Sequence, residues 1–299
     1  MDFIESSYLA HSKLSAAIKS DSEVYENWFE KGTTDVWRHV RMLSCLDPLL
    51  ENFKSAQWIT IGDGTFGTSC IYIEKKGGNC VATDIDETKL IEAHAKGWIR
   101  SFKCENAEHL SLDDNSVDFA YCKEAFHHFP RPHLGLYEML RVSRKAVIFT
   151  EPTDWLPGPV LKQVLVKIKR FVKRIAGRRI EHTDTGNFEE IGNYVFTISI
   201  REFEKIAMAM GLPAIAYRYF HDVYFPGMET EQASDRSPLF RRMQRKIKLN
   251  EVLNKLSLNS KNQVSVILFK DIPDIDLRSQ LAKSNFTVSM LPQSPKFSS

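Results

Sequence analysis

The chain has 299 residues, of which 26% are charged and 43% are hydrophobic, and its formal net charge is +2. These values predict a folded chain with a sizeable core in one large or two small domains, and they exclude a disordered protein. No run of eighteen apolar residues occurs, so we expect no membrane-spanning helix. The acidic start, Met1–Glu5, does not resemble a signal peptide, and five dispersed cysteines favour reduced thiols, so we expect a cytoplasmic protein.

The order of helical and strand patterns predicts the architecture. Residues 1–55 are predicted to form a helical N-terminal cap, and short strand patterns then alternate with helical ones from residue 56 to 152. Two more strands are predicted at about 214–220 and 263–270. This alternation predicts an α/β fold with a doubly wound, mainly parallel, seven-stranded Rossmann-like sheet. Residues 153–262 are predicted to be a basic helical insertion with the sixth strand, and residues 263–299 the last strand and a C-terminal tail.

Two segments concentrate positive charge in a chain that is otherwise acidic. Residues 155–180 contain eight Lys and Arg, residues 236–249 contain six, and neither segment contains an acid. The first segment predicts an amphipathic helix at about 158–180. Its basic face is either solvated or in peripheral contact with an anionic membrane or a phosphorylated acceptor. Neither segment interleaves exposed aromatic residues with its cations, so we do not expect nucleic acid as a partner.

A glycine-rich loop follows the first predicted strand. Gly62, Gly64 and Gly67 form a GxGxxG pattern between a strand and a helix, and Asp84 ends the next strand about twenty residues further on. Glycines allow the backbone to approach a ligand, and a carboxylate at that position binds the ribose hydroxyls of an adenosine cofactor. The pattern by itself fits a dinucleotide site and an S-adenosylmethionine site equally well.

The segment 104–151 distinguishes these two cofactors. It contains, in this order, Glu105-Asn106-Ala107-Glu108, Ser116-Val117-Asp118-Phe119, Phe126-His127-His128-Phe129-Pro130 and Glu138-Met139-Leu140-Arg141-Val142. This arrangement closely resembles the class I S-adenosylmethionine-dependent methyltransferases, in particular the branch similar to the ubiquinone and menaquinone biosynthesis enzymes. The resemblance covers about residues 56–152 and is specific for fold and cofactor, but not for the methyl acceptor.

The resemblance implies S-adenosylmethionine as the cofactor and gives it a set of contacts. The glycine loop lines the methionine and ribose portion, Asp84 binds the ribose hydroxyls, and the backbone carbonyl of Lys123 meets the methionine amine. The residues implied in cofactor binding are Gly62, Asp63, Gly64, Thr65, Gly67, Asp84, Ile85, Asn106, Ala107 and Lys123. The chain departs from the family at Thr60, where the family has an acid, and at Phe66, where it has its third glycine. Asp63 is a candidate replacement for the missing carboxylate.

Candidate catalytic and substrate-binding residues can be named beside these cofactor contacts. His127 and His128 occupy the segment that borders the transferable methyl group, and either is a candidate general base for a hydroxyl acceptor. The alternative role for both is to shape the pocket. Glu124 and Glu151 end neighbouring strands, and Tyr194 lies in the insertion, so these three are candidate substrate-binding residues. The spacing of His, Cys, Asp and Glu predicts no metal site.

The predicted function is transfer of a methyl group to an oxygen or nitrogen of a small polar metabolite. A sugar or glycan precursor is the first expectation, and it is based on the resemblance alone. Two alternatives stay open at this point. An NAD(P)-dependent oxidoreductase or epimerase would use the same loop and Asp84, but it leaves the segments 106–108 and 127–128 unexplained. A non-catalytic adaptor that retains the fold would fit the departures at Thr60 and Phe66. The sequence does not predict an oligomeric state.

Overall fold

The computed structural model describes residues 4–9, 31–154, 186–188 and 194–293 of the chain. Residues 4–9 are helical. The longer helices are α1 (Thr34–Leu43), α2 (Asp47–Asn52), α3 (Thr68–Lys75), α4 (Thr88–Ala95), α5 (Pro132–Val142), α6 (Ile200–Ala209), α7 (Pro238–Lys255) and α8 (Ile275–Lys283), and Ser44–Leu46 and Phe126–His128 form 3₁₀ turns. The basic helix predicted at 158–180 lies outside the described residues, whereas the second basic segment begins α7.

The described strands form one eight-stranded sheet and a small hairpin. They are β1 (Gln57–Ile61), β2 (Asn79–Asp84), β3 (Phe102–Cys104), β4 (Val117–Lys123), β5 (Ser143–Pro152), β6 (Gly186–Phe188), β7 (Tyr194–Phe196), β8 (Ala214–Phe220), β9 (Gln263–Phe269) and β10 (Thr287–Met290). The sheet order is β10-β8-β9-β5-β4-β1-β2-β3, and β6 pairs with β7. Strands β1 to β5 are mutually parallel, whereas β9 is antiparallel to β5 and β8, and β10 is antiparallel to β8.

The predicted α/β Rossmann-like class is confirmed, but the predicted strand number is wrong. The sheet has eight strands because β10 is added at the edge beside β8, and it is mixed because β9 and β10 are antiparallel to their neighbours. Strand β10 has the sequence Thr-Val-Ser-Met, and none of its side chains is fully buried. A strand this short and this exposed has no continuous apolar run, so the sequence pattern did not reveal it.

The central strands are buried on both faces, which explains why they are continuous apolar runs. Trp58 of β1 faces the layer of α2, α3, α4 and α8, and its ring stacks on Phe119 with centroids 4.4 Å apart. Ile59, the next residue, faces the opposite layer, which α5 and α6 cover. The fold is therefore a three-layer α/β/α arrangement with an apolar cluster on each side of the sheet. Among the described residues no helix combines the length and the apolarity needed to cross a bilayer.

The carboxyl ends of the parallel strands meet at one edge of the sheet, and the segments that follow them lie side by side. Ile61 ends β1, Asp84 ends β2, Lys123 ends β4 and Pro152 ends β5. This edge is where open α/β sheets bind ligands. The helical segment 4–9 also reaches it, as the contacts below show.

Candidate functional site

The glycine loop and Asp84 form one hydrogen-bonded unit. The Gly64 N–H donates to Asp84 Oδ2 at 2.8 Å, and the Asp86 N–H donates to Asp84 Oδ1 at 2.9 Å. A Cβ at position 64 would lie 2.6 Å from Asp84 Oδ2, so only glycine allows this approach. Burial raises the pKa of the Asp84 carboxyl. Each carboxylate oxygen retains capacity to accept a further hydrogen bond, such as one from a ribose hydroxyl.

A cleft opens above this unit and collects most of the residues predicted to bind the cofactor. Its walls come from the glycine loop, from the ends of β2 and β4, from the segment 105–108 and from the helical segment 4–9. Seven of the ten predicted residues line it, namely Gly62, Gly64, Thr65, Asp84, Ile85, Asn106 and Ala107. The structure therefore brings together residues that are separated by up to 45 positions, since residues 62 and 107 share the cleft.

Asp63 and Gly67 belong to the glycine loop, but they do not line the cleft. The two carboxylate oxygens of Asp63 accept the backbone N–H groups of Ser69 at 3.1 Å and Cys70 at 2.9 Å, so this side chain stabilises the first turn of α3. Burial raises the pKa of Asp63 to about 6. Gly67 has φ +66°, and a Cβ there would lie 2.9 Å from Ile99 Cγ2. The expectation that the Asp63 carboxylate replaces the missing acid in the cleft is corrected, because that carboxylate faces α3.

Phe66, the departure from the family's third glycine, is accommodated away from the cleft. Its backbone is left-handed with φ +57°, which is uncommon for a bulky residue. Its ring is 1% exposed and meets the Trp98 ring edge to face at 5.7 Å. The departure at this position therefore adds a core contact and leaves the cleft open.

Lys123 and Glu124 belong to a buried network of charges at the end of β4. Lys123 Nζ lies 3.3 Å from Glu124 Oε2 and 3.3 Å from Nδ1 of His39. Gln263 donates to Glu124 Oε1 at 3.2 Å, and Arg38 Nη2 lies 4.0 Å from that same oxygen. Burial would raise the pKa of Glu124, but the charges of Lys123 and Arg38 outweigh it and lower the pKa to about 2. Glu124 lines the cleft as a carboxylate, whereas Lys123 does not line it.

The same network fastens α1 to the segment after β8. Arg38 makes a bidentate contact with Asp222, from Nε to Oδ1 at 2.8 Å and from Nη2 to Oδ2 at 2.7 Å, and a third bond to Asp35 at 3.1 Å. Burial, with Lys123 and Arg38 nearby, lowers the pKa of His39 well below its usual value. The imidazole of His39 is therefore neutral at pH 7, and the network holds a fixed set of charges beside the cleft.

Glu151 organises the 3₁₀ turn that carries the two histidines. Its side chain is fully buried, and Oε1 accepts the backbone N–H groups of Ala125 at 3.1 Å and Phe126 at 3.0 Å. The other oxygen, Oε2, forms a short contact with Nδ1 of His127. Glu151 lines neither of the pockets at this edge. Its predicted role as an acceptor contact is therefore corrected to a positioning role.

The two adjacent histidines have different surroundings. His127 is buried against Glu151 and lines neither pocket. His128 lines the cleft and also a second, largely apolar pocket next to it, together with Phe129 and Pro130. Tyr194, which is 40% exposed, also lines the second pocket, and its role as an acceptor contact stays a prediction. The other walls of this apolar pocket come from the start of α5, from β7 and from α6, and include Leu136, Phe196, Ile198, Glu202, Phe203 and Ile206.

Sequence reasoning gave no role to Tyr8 and Glu108, which fasten the N-terminal segment over the cleft. The buried carboxylate of Glu108 accepts the backbone N–H of Arg131 at 2.6 Å and its Nε–H at 2.7 Å. Tyr8 donates to the same carboxylate at 2.6 Å. Tyr8 and Glu108 are 100 positions apart, so no local motif could have revealed the contact. In the described segments no group of three or more His, Cys, Asp and Glu side chains could hold a metal ion.

Comparison with known families identifies one part of the chain. Residues 59–150 match the model of the methyltransferase domain family. That segment begins in β1 and ends in β5, so it includes the glycine loop, Asp84, the segment 105–108 and both histidines. No curated protein matches the sequence.

Solved structures with a similar arrangement share little sequence with this chain. The YcgJ protein from Bacillus subtilis is 16% identical, with a TM-score of 0.46, over 77% of this chain and 99% of its own. A methyltransferase dependent on S-adenosylmethionine from Methanosarcina mazei is 16% identical, with a TM-score of 0.46, over 76% of this chain and 98% of its own. A possible histamine N-methyltransferase from Thermotoga maritima is 15% identical, with a TM-score of 0.45, over 89% of this chain and 100% of its own.

Proposed function

Residues 59–150 are a class I methyltransferase domain with S-adenosylmethionine as its cofactor, and from this premise we propose that the chain methylates an oxygen or nitrogen of a small polar metabolite. The family predicted from residues 104–151 is confirmed, and the narrower ubiquinone-like branch stays a prediction. One observation carries the proposal. His128 lies on the boundary between the cleft that contains Asp84 and the apolar pocket that contains Tyr194.

The residues of the cleft fit the cofactor. Asp84 offers carboxylate oxygens to the two ribose hydroxyls, and Gly64 leaves room because any Cβ there would meet Asp84. Ile85 and Ala107 supply apolar surface, and Asn106, beside Ala107, supplies polar groups for the adenine. The anionic Glu124 lines the same cleft and provides favourable electrostatics for a positively charged ligand. When bound, S-adenosylmethionine supplies an electrophilic methyl group attached to a cationic sulfur.

The residues of the chain itself must align the acceptor and take up its proton. In this proposal the acceptor occupies the apolar pocket with its hydroxyl or amine directed towards the cleft, and His128 accepts the proton from that group. His127 and Glu151 position His128, because Glu151 binds two backbone N–H groups of the turn that contains it. The His128 ring is 4.1 Å, centroid to centroid, from that of His127.

The composition of the apolar pocket favours an acceptor with a ring. Phe126, Phe129, Phe196 and Phe203 surround it with aromatic surface. Polar groups at the wall come from His128, Tyr194 and Glu202. A sugar ring packs well on aromatic faces and needs a few polar contacts at its edge, so a sugar or glycan precursor remains the first candidate acceptor.

The test is a transfer assay with S-adenosylmethionine labelled in its methyl group and a panel of free sugars, nucleotide sugars and small amines. The proposal expects label on at least one acceptor, a loss of the rate in His128→Ala and a much smaller loss in Tyr194→Phe. Retention of the wild-type rate in His128→Ala would contradict the role of His128. Tight cofactor binding without label on any sugar or amine would contradict the proposed acceptor class.

A further inference from the structure

A third pocket, which is polar, lies at the same edge of the sheet but away from the cleft and the apolar pocket. Arg41 of α1, Arg218 of β8 and Lys261, which precedes β9, line it together with Ser44 and Asn285. Arg218 shares a sheet face with Ala214 and Ala216, which belong to the apolar cluster of α2, α3, α4 and α8. The apolar pocket beside His128 is built from residues of the opposite cluster. This basic pocket is therefore separate from the proposed methyl-transfer site.

Two guanidinium groups approach one aromatic ring in this basic pocket. The guanidinium carbons of Arg41 and Arg218 lie 5.8 and 5.6 Å from the centroid of Phe220. Arg41 donates to the carbonyl of His221 at 2.6 Å, and Arg218 donates to the carbonyl of Ser284 at 3.5 Å. The Arg218 Nε is buried and makes no hydrogen bond within the described structure. Across the described ranges, no carboxylate lies within 4.0 Å of either guanidinium group.

The basic pocket has more positive charge than its single acid can neutralise. Glu251 lies 4.0 Å from Lys261, so the lining has three cations and one carboxylate. Burial and the nearby Arg218 disfavour the charge of Arg41 and lower its pKa, despite the opposing effect of Asp222 and Glu251. Arg41 and Arg218 repel each other, since neither forms an ion pair with a carboxylate of the described residues, and an anion that contacts both would relieve this repulsion.

We propose that this basic pocket binds a phosphoryl group, with Arg41, Arg218 and Lys261 as its ligands. Guanidinium groups match the tetrahedral oxygens of phosphate through paired N–H donors, and a lysine adds a point charge. This site goes beyond methyl transfer, because it lies outside both pockets that contain His128.

The phosphoryl group can belong to a soluble phosphate ester or to a lipid headgroup. Helix α7, which contributes Glu251 to the basic pocket, carries Leu249, Val252 and Leu256, which are 51, 55 and 62% exposed. Exposed cations precede them on the same helix, namely Arg241, Arg242, Arg245, Lys246 and Lys248. Exposed apolar side chains with neighbouring cations are typical of a helix that lies on an anionic bilayer. The experiment therefore needs one arm for each source of phosphate.

The first arm is calorimetric titration of the full chain with inorganic phosphate at constant ionic strength. The proposal expects saturable binding that weakens by about tenfold or more in Arg41→Gln and in Arg218→Gln, since each substitution removes charged hydrogen bonds. Arg144→Gln, a change at an arginine paired with Asp118 elsewhere on the surface, is the matched control and is expected to retain the affinity. The variants Arg41→Lys and Arg218→Lys retain charge and are expected to bind with intermediate affinity.

The second arm measures recruitment to vesicles of phosphatidic acid in phosphatidylcholine, with pure phosphatidylcholine as the reference. Recruitment that both Arg218→Gln and Val252→Glu abolish assigns the basic pocket to a lipid headgroup. Phosphate binding without recruitment assigns it to a soluble ester, and both results support the site. Absence of both phosphate binding and recruitment, or binding and recruitment that the double variant Arg41→Gln/Arg218→Gln retains, would overturn the proposal. Thermal unfolding and affinity for S-adenosylhomocysteine, unchanged in these variants, show that the fold and the cleft are intact.

Discussion

The two halves of the sheet's carboxyl edge differ in the charged groups that they contain and in how those groups are paired. At the ends of β1, β2 and β5, buried or half-buried carboxylates accept backbone N–H groups, as Asp63, Asp84 and Glu151 do. At the ends of β8 and α1, Arg41 and Arg218 both approach the ring of Phe220, and no carboxylate of the described chain lies within ion-pair distance of them. The first half therefore suits ligands with hydroxyls and positive charge, and the second suits an anion.

The largest effect on stability is expected from substitution of Glu151, because this residue binds the turn that contains the two histidines in the first half of the edge. Glu151→Ala leaves two backbone N–H groups and His127 without their buried acceptor. The free energy of unfolding should fall by about 3 kcal/mol or more, because unsatisfied buried polar groups cost the full loss of hydration. Urea denaturation measures it. Glu151→Gln retains one acceptor oxygen, so its free energy of unfolding should fall less. A fall below about 1 kcal/mol in Glu151→Ala would contradict the positioning role of Glu151.

The second prediction distinguishes the roles of the two histidines by the effects of their substitution on kcat and on stability. His128→Ala should lower kcat by about a hundredfold or more for a hydroxyl acceptor, because a general base typically contributes at least that factor. Its free energy of unfolding should change little. His127→Ala should instead lower the free energy of unfolding, because it removes the partner of the buried Glu151. Steady-state kinetics and urea denaturation on both variants test this assignment, and the reverse pattern would contradict it.

A smaller effect on affinity is expected at the glycine loop. Gly64→Ala places a Cβ 2.6 Å from Asp84 Oδ2, which forces the carboxylate to move. The Kd for S-adenosylhomocysteine should rise by about tenfold or more, as expected when a charged hydrogen bond is lost. Gly97→Ala is the control, because that position has φ +71°, has no neighbour within 4 Å and lies outside the cleft. The control should lower stability slightly and leave the Kd unchanged.

The smallest effects concern pH, where two acids of the same edge should respond with opposite sign. The pKa of Asp63 is about 6 in the folded chain and 3.8 without the fold, so the unfolded chain ionises first. Its contribution to stability therefore falls as the pH rises from about 4 to 6. Asp63→Asn should gain stability relative to the wild type across that range, as followed by urea denaturation at several pH values. A difference that does not vary with pH would contradict the raised pKa.

Glu124 should show the opposite response. Its pKa is about 2 in the folded chain and 4.5 without the fold, so its contribution to stability is complete above 4.5 and is lost as the pH falls towards 2. Glu124→Gln should be less stable than the wild type at pH 7, and the difference should shrink below pH 4.5. A difference that grows on acidification would contradict the network with Lys123 and Arg38.

The sequence predicted the parts of the site that depend on local order. Gly62, Gly64 and Asp84 lie within about twenty positions, in a strand-loop-helix-strand segment whose geometry the glycines and the parallel strands dictate. Which of His127 and His128 lines the pockets was not predictable, because it depends on Glu151, which is 24 positions from His127 in the chain. The pairing of Arg41 and Arg218 on Phe220 requires α1 and β8 to meet, and no local pattern contains that information.

The most direct measurement is calorimetric titration of the wild type and of Asp84→Asn with S-adenosylmethionine, S-adenosylhomocysteine and NAD. We predict that the wild type binds the first two with micromolar affinity and does not bind NAD. The affinity should fall by about tenfold or more in Asp84→Asn, because the charged acceptor for the ribose hydroxyls is lost. Asp113→Asn, an exposed acid outside the cleft, should bind like the wild type. Binding of NAD alone, or equal affinity in Asp84→Asn, would contradict the assignment of this cleft.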